Sequence, residues 1–222
     1  MTEPLLASFP ATRRSVVERL KARGEASASE LAEDLSLTTQ AVRQQLGELE
    51  DDGFVAHRRR NDGRGRPTHR YSLTPAASAL FPQRYGDLTN ELLGYATDED
   101  SDAVEALFER RRQRRTEGAR VRLKGKSFDD RVLELSQILA EDGYLAVAER
   151  VDDRTWRIVE RNCAIFDVAL KYGHACSSEI SFLRDAMPDA DIERVSHMIA
   201  GAHSCAYEVT RRRGRRATAA RA

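Results

Sequence analysis

The chain is short of everything that a membrane protein or a secreted scaffold needs. Its longest uninterrupted apolar run is five residues, YLAVA at 144–148, against the roughly 20 that span a bilayer. The opening MTEPLLASFPATRR holds no continuous hydrophobic segment either. Neither a membrane span nor a signal peptide is expected, and the reading is a cytoplasmic protein. Cysteine is scarce, three in 222 residues, all in the last third. An odd number in a reducing compartment argues against a disulfide framework and leaves free thiols or metal ligands. Net charge is absent too, with 36 basic residues against 36 acidic ones, so any affinity for nucleic acid has to be local. A glycine-rich phosphate loop, HExxH, GxSxG and an assignable serine–histidine–acid set are all missing, and no enzymatic activity is expected.

What is present divides the chain. Its length suits one large domain or two small ones, and the patterning favours two. In the first 75 residues, apolar periodicity and caps give three short helices and a hairpin. Ser27-x-x-Glu30 is a capping box, and Ala28, Leu31, Ala32 and Leu35 follow at helical spacing. After the turn Ser36-Leu37, Thr38 caps a third helix in which Leu37 can staple onto Val42, and Val42, Leu46 and Leu49 form the buried stripe. Gly53 closes it, and FVAHRRR and THRYSL read as two strands joined by NDGRGRP. This is a winged helix-turn-helix over residues 10–75.

A helix that enters the major groove needs donors and acceptors on its outer face and an apolar face toward its own domain. Gln40, Arg43 and Gln44 supply the first, and Thr38 and Thr39 suit phosphate contacts at the positive end of the helix dipole. The hairpin at residues 54–73 holds six arginines and one acidic residue in a chain of zero net charge. Arg64 and Arg66 sit at its glycine-rich tip, where the backbone can approach a phosphate or a minor groove. The expected partner is a double-stranded DNA operator, palindromic and bound by a homodimer.

Residues 76–126 read as a helical linker and dimerisation region, with Val104, Leu107 and Phe108 available for the dimer contact. From 127 to 210 the pattern becomes a helix (Val132, Leu135, Leu139), strands YLAVAERV and TWRIVER about a turn at Asp152-Asp153, a helix with Ser181, Phe182 and Leu183, and strands RVSHMIAG and CAYEVTRR. The last stretch, 211–222, is an arginine-rich tail expected to be disordered. The fold class is α+β, with an N-terminal winged helix-turn-helix, a helical dimer linker and a C-terminal α+β sensor domain.

SASELAEDLSLTTQAVRQQLGELEDDGFV, followed by GRGRPTHRYSLTPAA, resembles the winged helix-turn-helix of bacterial repressors related to the ArsR and MarR groups, particularly the SufR-type regulators of iron-sulfur cluster assembly. FDDRVLELSQILAEDGYLAVAE and RIVERNCAIFDVA resemble the ligand domain of that family, so the resemblance spans nearly residues 10–210. The family carries C-x12-C-x13-C-x14-C, and this chain reproduces the first, second and fourth positions at Cys163, Cys176 and Cys205. Its third position is Ala190.

The resemblance implies an iron-sulfur cluster on these three thiolates, a 4Fe-4S cluster foremost, and a repressor of cluster-assembly genes whose holo form binds DNA. A fourth ligand is then needed, from His174, His203, Asp189, Asp191 or a small exogenous molecule. The residues alone also allow a winged-helix regulator that senses zinc (for which His197 and His203 are suited), thiol redox state or a small ligand, with no cluster.

Overall fold

Ser27 and Glu30 form the reciprocal cap that their spacing predicts. The Ser27 hydroxyl accepts from the Glu30 amide at 3.2 Å, and the Glu30 carboxylate accepts from the Ser27 amide at 2.6 Å. In the computed structural model, which describes residues 5–60 and 67–213, this cap opens the helix-turn-helix of the first of two units, Met1–Arg84 and Tyr85–Ala222.

The first unit contains α1 (Ala11–Arg23), β1 (Glu25–Ala26), α2 (Ala28–Leu35), α3 (Thr39–Asp51), β2 (Val55–Arg60) and β3 (Thr68–Leu73). Thr38 caps α3 by accepting from the Ala41 amide at 3.1 Å, and Ser36 in the left-handed region makes the turn between α2 and α3. Val16, Val17 and Leu20 of α1, Leu31 of α2, and Val42, Leu46 and Leu49 of α3 are fully buried together. The strands form an antiparallel sheet in the order β1-β3-β2.

The second unit begins with α4 (Tyr85–Glu99) and α5 (Ala103–Leu123), and continues with α6 (Phe128–Leu139), β4 (Ala146–Arg150), β5 (Thr155–Glu160), α7 (Phe166–Lys171), α8 (His174–Ala186), β6 (Ala190–Ser196) and β7 (Cys205–Arg211). Its antiparallel sheet has the order β4-β5-β7-β6. Asp152 makes the β4–β5 turn by accepting from the amides of Arg154 and Thr155 at 2.7 and 2.9 Å. Burial along β5 has a period of two, with Trp156, Ile158 and Glu160 inside. Their register partners on β7 are Val209, Tyr207 and Cys205, so these six side chains share the face that packs on α5, α6 and α8. A smaller apolar cluster joins Val104 and Phe108 of α5 to Val168 and Ala169 of α7 and Ala175 of α8, with Cys163 and Cys176 packed against it.

Five expectations change. The boundary at residue 75 falls later, because Ala77 and Leu80 of the turn Pro75–Leu80 are buried in the first core. The segment 76–126 is not a separate linker: α4 and α5 belong to the second unit. Val104 and Phe108 are 3% and 9% exposed, occupied within their own chain, so they do not serve a dimer contact. RVSHMIAG is not one strand. It starts earlier, at Ala190, ends at Ser196 after a bulge, and gives way to the turn Met198–Ala200, which Gly201 closes at φ +94°. The tail also starts later than 211, since Arg211 ends β7 and Arg212 is ion-paired with Asp191 at 2.7 Å; residues 214–222 lie outside the described residues.

Candidate nucleic-acid interface and thiol site

Burial of Val42, Leu46 and Leu49 turns the opposite side of α3 outward, and Gln40, Arg43 and Gln44 are exposed there. Thr38 is exposed and Thr39 half-buried at the helix start. Gln44 donates to Glu48 at 3.2 Å, which holds its amide along the helix. Arg43, Ser29 of α2, and Thr68, His69 and Tyr71 of β3 line a cleft of about 480 Å³.

The hairpin has two chemically different faces, set by strand alternation. On one, Arg58, Arg60 and Arg70 are drawn onto Glu25 and Glu30; Arg58 meets Glu25 at 2.6 Å and Arg70 meets Glu30 at 2.5 Å. Arg70 and the Ser27 amide hold the Glu30 carboxyl down at about 2. Much of the hairpin's formal positive charge is thus balanced within the unit. On the other face, register pairs His57 with Tyr71 and Arg59 with His69. The two imidazoles stack with centroids 4.3 Å apart, and His57 meets Glu50 of α3 at 2.5 Å. Arg59 therefore shares the face turned to α3, and it is exposed. Sequence reading missed it: an arginine run shows charge, and only register shows which arginine faces where. Arg64 and Arg66 lie outside the described residues.

In the second unit three cysteines come from three elements: Cys163 from the loop after β5, Cys176 from the first turn of α8 and Cys205 from the start of β7. They interact. Cys163 is raised to about 11, first by burial and further by Glu179 and the other two thiols, while burial raises Cys176 and Cys205. The Cys205 sulfur accepts from the Met198 amide at 3.4 Å. Arg194 donates to the Cys176 carbonyl, and its positive charge favours the thiolates of Cys176 and Cys205. Among the described residues, no three His, Cys, Asp or Glu side chains are gathered at the spacing of a single ion.

Two carboxylates are buried beside the thiols. Glu179, one turn after Cys176, is paired with Arg115 of α5 at 3.3 Å, and Arg115 also meets Asp142 at 2.6 Å and lies over Phe182. Glu160 is 1% exposed. Burial, with Glu179 nearby, pushes its carboxyl up to about 9, and its Oε1 is buried with no hydrogen-bond partner.

The other candidate ligands are elsewhere. Ala190 is the register partner of Arg211, six residues along β7 from Cys205, about 20 Å at roughly 3.3 Å per residue. A cysteine at 190 would not reach the other thiols in this fold. Asp189 and Asp191, at the same end, are held by Arg131 and Arg212 at 2.6 and 2.7 Å. His203 is exposed in the loop before β7, and His174 is exposed at the start of α8.

Residues 11–58 match the family model described as a helix-turn-helix domain. No curated protein matches the chain. Among solved structures, the oxidized form of MarR from Escherichia coli is 20% identical over 46% of this chain and 71% of its own, with a TM-score of 0.30. YusO from Bacillus subtilis is 20% identical over 62% and 76%, with a TM-score of 0.30. Bacillus subtilis PadR, in complex with operator DNA, is 18% identical over 60% and 92%, with a TM-score of 0.29. No helix among the described residues is long and apolar enough to cross a membrane. With its capped helix pair, outward polar helix face and basic hairpin, the first unit is a winged helix-turn-helix, and residues 11–58 are a helix-turn-helix domain.

Proposed function

We propose that this chain is a transcription regulator that binds a palindromic operator as a homodimer and sets its operator affinity through an iron-sulfur cluster held by Cys163, Cys176 and Cys205, repressing genes of cluster assembly when loaded. The observation that carries the reading is that Cys163 and Cys176, from distant segments, pack on one apolar cluster with Ile199, while Cys205 accepts from the amide of the neighbouring Met198. Thiolates are the ligands that iron among sulfides requires, and hydrogen bonds to the sulfurs tune it. When bound, the cluster supplies an iron-dependent and oxidant-sensitive link between three segments of the unit.

The chain's own residues transmit that link. Cys176 fixes the first turn of α8, Glu179 on the same helix is tied to Arg115, and Arg115 fixes α5 against α8 and the turn at Asp142. Fixing α8 therefore fixes α5, which packs on α4. A coupling of about 1–3 kcal/mol between site and operator suffices for a useful switch.

The dimer contact proposed here is α4. Its inner side, through Asn90 and Leu93, meets Asp167 and the small apolar cluster. Its outer side leaves Tyr85, Leu88, Leu92 and Tyr95 exposed at 71%, 52%, 57% and 59%. The intervals of three, four and three are those of a two-helix seam, which a second copy would cover. The test is anaerobic reconstitution with iron and sulfide, followed by selection from a random-sequence duplex library with loaded and metal-free protein. A palindromic product bound by the loaded form is expected; equal recovery by both forms would refute the switch.

A further inference from the structure

On the proposed cluster three thiols would leave one metal position without a protein ligand, and Glu160 Oε1 beside them is a buried polar atom with no hydrogen-bond partner. Period-two burial places Glu160 inside the sheet–helix core after Trp156 and Ile158. It is the register partner of Cys205, so the two side chains leave the same face of the sheet with Cβ atoms about 4.5–5.5 Å apart. The carboxyl is near enough to Cys176 and Cys205 to act on both thiols. Its Oε1 is buried and unpartnered. A buried carboxyl oxygen with no partner costs stability, about 1–3 kcal/mol, which Arg115, Arg194 and Tyr207 around the carboxyl offset only in part.

The competing groups are otherwise engaged. Glu179 is held by Arg115, and Asp189 and Asp191 are held by arginines at the far end of the sheet. His174 and His203 face solvent. Two other buried atoms able to ligate lack partners around this site: His197 Nε2, in the residue before the Met198 amide that caps Cys205, and the Tyr144 hydroxyl, which lies near Glu179 and Arg115.

Resting on the cluster reading above, we propose that Glu160 Oε1 is the fourth protein ligand, completing a three-thiolate, one-carboxylate site. Each thiol and the Glu160 carboxyl gives up its proton on ligation, so loading releases protons to solvent. An oxygen ligand is harder than a thiolate and holds iron less firmly among sulfides. The iron at Glu160 is thus the one that leaves first on exposure to air.

The test uses the full chain reconstituted anaerobically, as native protein and as Glu160→Gln, Glu160→Cys, His197→Ala and Cys176→Ser. Iron and sulfide per chain, the Mössbauer spectrum and the rate of bleaching in air are measured, with circular dichroism of the metal-free proteins as the folding control. Glu160→Gln keeps the shape and removes the ionisable oxygen, and it should bleach about tenfold faster than native. Glu160→Cys supplies a fourth thiolate and should bleach more slowly, with the distinct iron site lost from the Mössbauer spectrum. Unchanged iron content, spectrum and bleaching in both Glu160 variants would overturn the proposal. So would loss of the distinct iron in His197→Ala alone. If native protein and Cys176→Ser both take up no iron and sulfide, the cluster reading itself fails, and the Glu160 assignment with it.

Discussion

Arg115 on α5 and Glu179 on α8 form an ion pair at 3.3 Å, with side chains only 14% and 8% exposed, one helical turn from Cys176. Removing one partner of such a pair strands a charge. Arg115→Ala should therefore destabilise the metal-free second unit by about 3–5 kcal/mol, whereas an apolar replacement of both partners, Arg115→Met with Glu179→Leu, should recover most of the loss. Urea unfolding measures both. Equal stability of Arg115→Ala and native protein would show that the pair holds nothing together.

The DNA-binding unit should divide its labour between two arginines. Arg43→Ala would remove the proposed base-edge contact from the exposed face of α3 and should lose about 1–3 kcal/mol of discrimination at one operator position. Arg59→Ala, on the hairpin face turned toward α3, should weaken all duplexes alike and reduce the salt dependence by about one counterion. Anisotropy titrations over a salt series on matched and mismatched duplexes separate the two. Loss of affinity in both variants with specificity intact would remove Arg43 from base reading.

Charge placed on the outer side of α4 should dissociate the proposed dimer. Leu88→Glu with Leu92→Glu introduces four carboxylates into a two-copy seam and should convert the chain from a dimer to a species of 25.0 kDa. Val104→Ala should lower stability without changing association, because that side chain is buried in its own unit. Sedimentation equilibrium reads the mass, and a dimer that survived the double substitution would place the contact elsewhere.

Acid should loosen the winged helix through Glu30. Arg70 and the Ser27 amide hold its carboxyl at about 2, against 4.5 unperturbed, so the unfolded chain takes up the proton before the folded one does. The stability that Glu30 contributes is complete above pH 4.5 and is lost as the pH falls toward 2. Thermal melts between pH 6 and 2 should show this decline, shallower in Glu30→Gln. Identical slopes would mean that the Arg70–Glu30 pair contributes nothing, as many half-exposed pairs do.

The winged helix was legible because its signals are local. Ser27 with Glu30, Thr38, and the stripe Val42, Leu46, Leu49 each announce themselves within one or two turns. The place of α5 was not legible, because Val104, Phe108, Thr116, Ala119 and Leu123 are scattered through a helix so rich in arginine that its buried side leaves little apolar signal. The thiol site was legible as residue types but not as geometry. Nothing in the spacing from Cys176 to Cys205 tells that Ala190 starts β6 at the far end of the sheet and that the return through Met198–Ala200 brings the chain back to Cys205. Glu160 was read only as part of a strand; the signal available was its place in the alternation after Trp156 and Ile158, where a carboxylate is out of pattern.

The central claim is that three thiols hold a group whose presence sets DNA affinity. The most direct measurement is the operator affinity of one anaerobic preparation before and after reconstitution with iron and sulfide, beside Cys163→Ser, Cys176→Ser and Cys205→Ser treated alike. The account predicts a brown native protein whose operator binding tightens on loading by about 5- to 150-fold, and three colourless variants that fold but show no shift. Native protein whose affinity is the same before and after loading, or variants that keep both colour and shift, would contradict it.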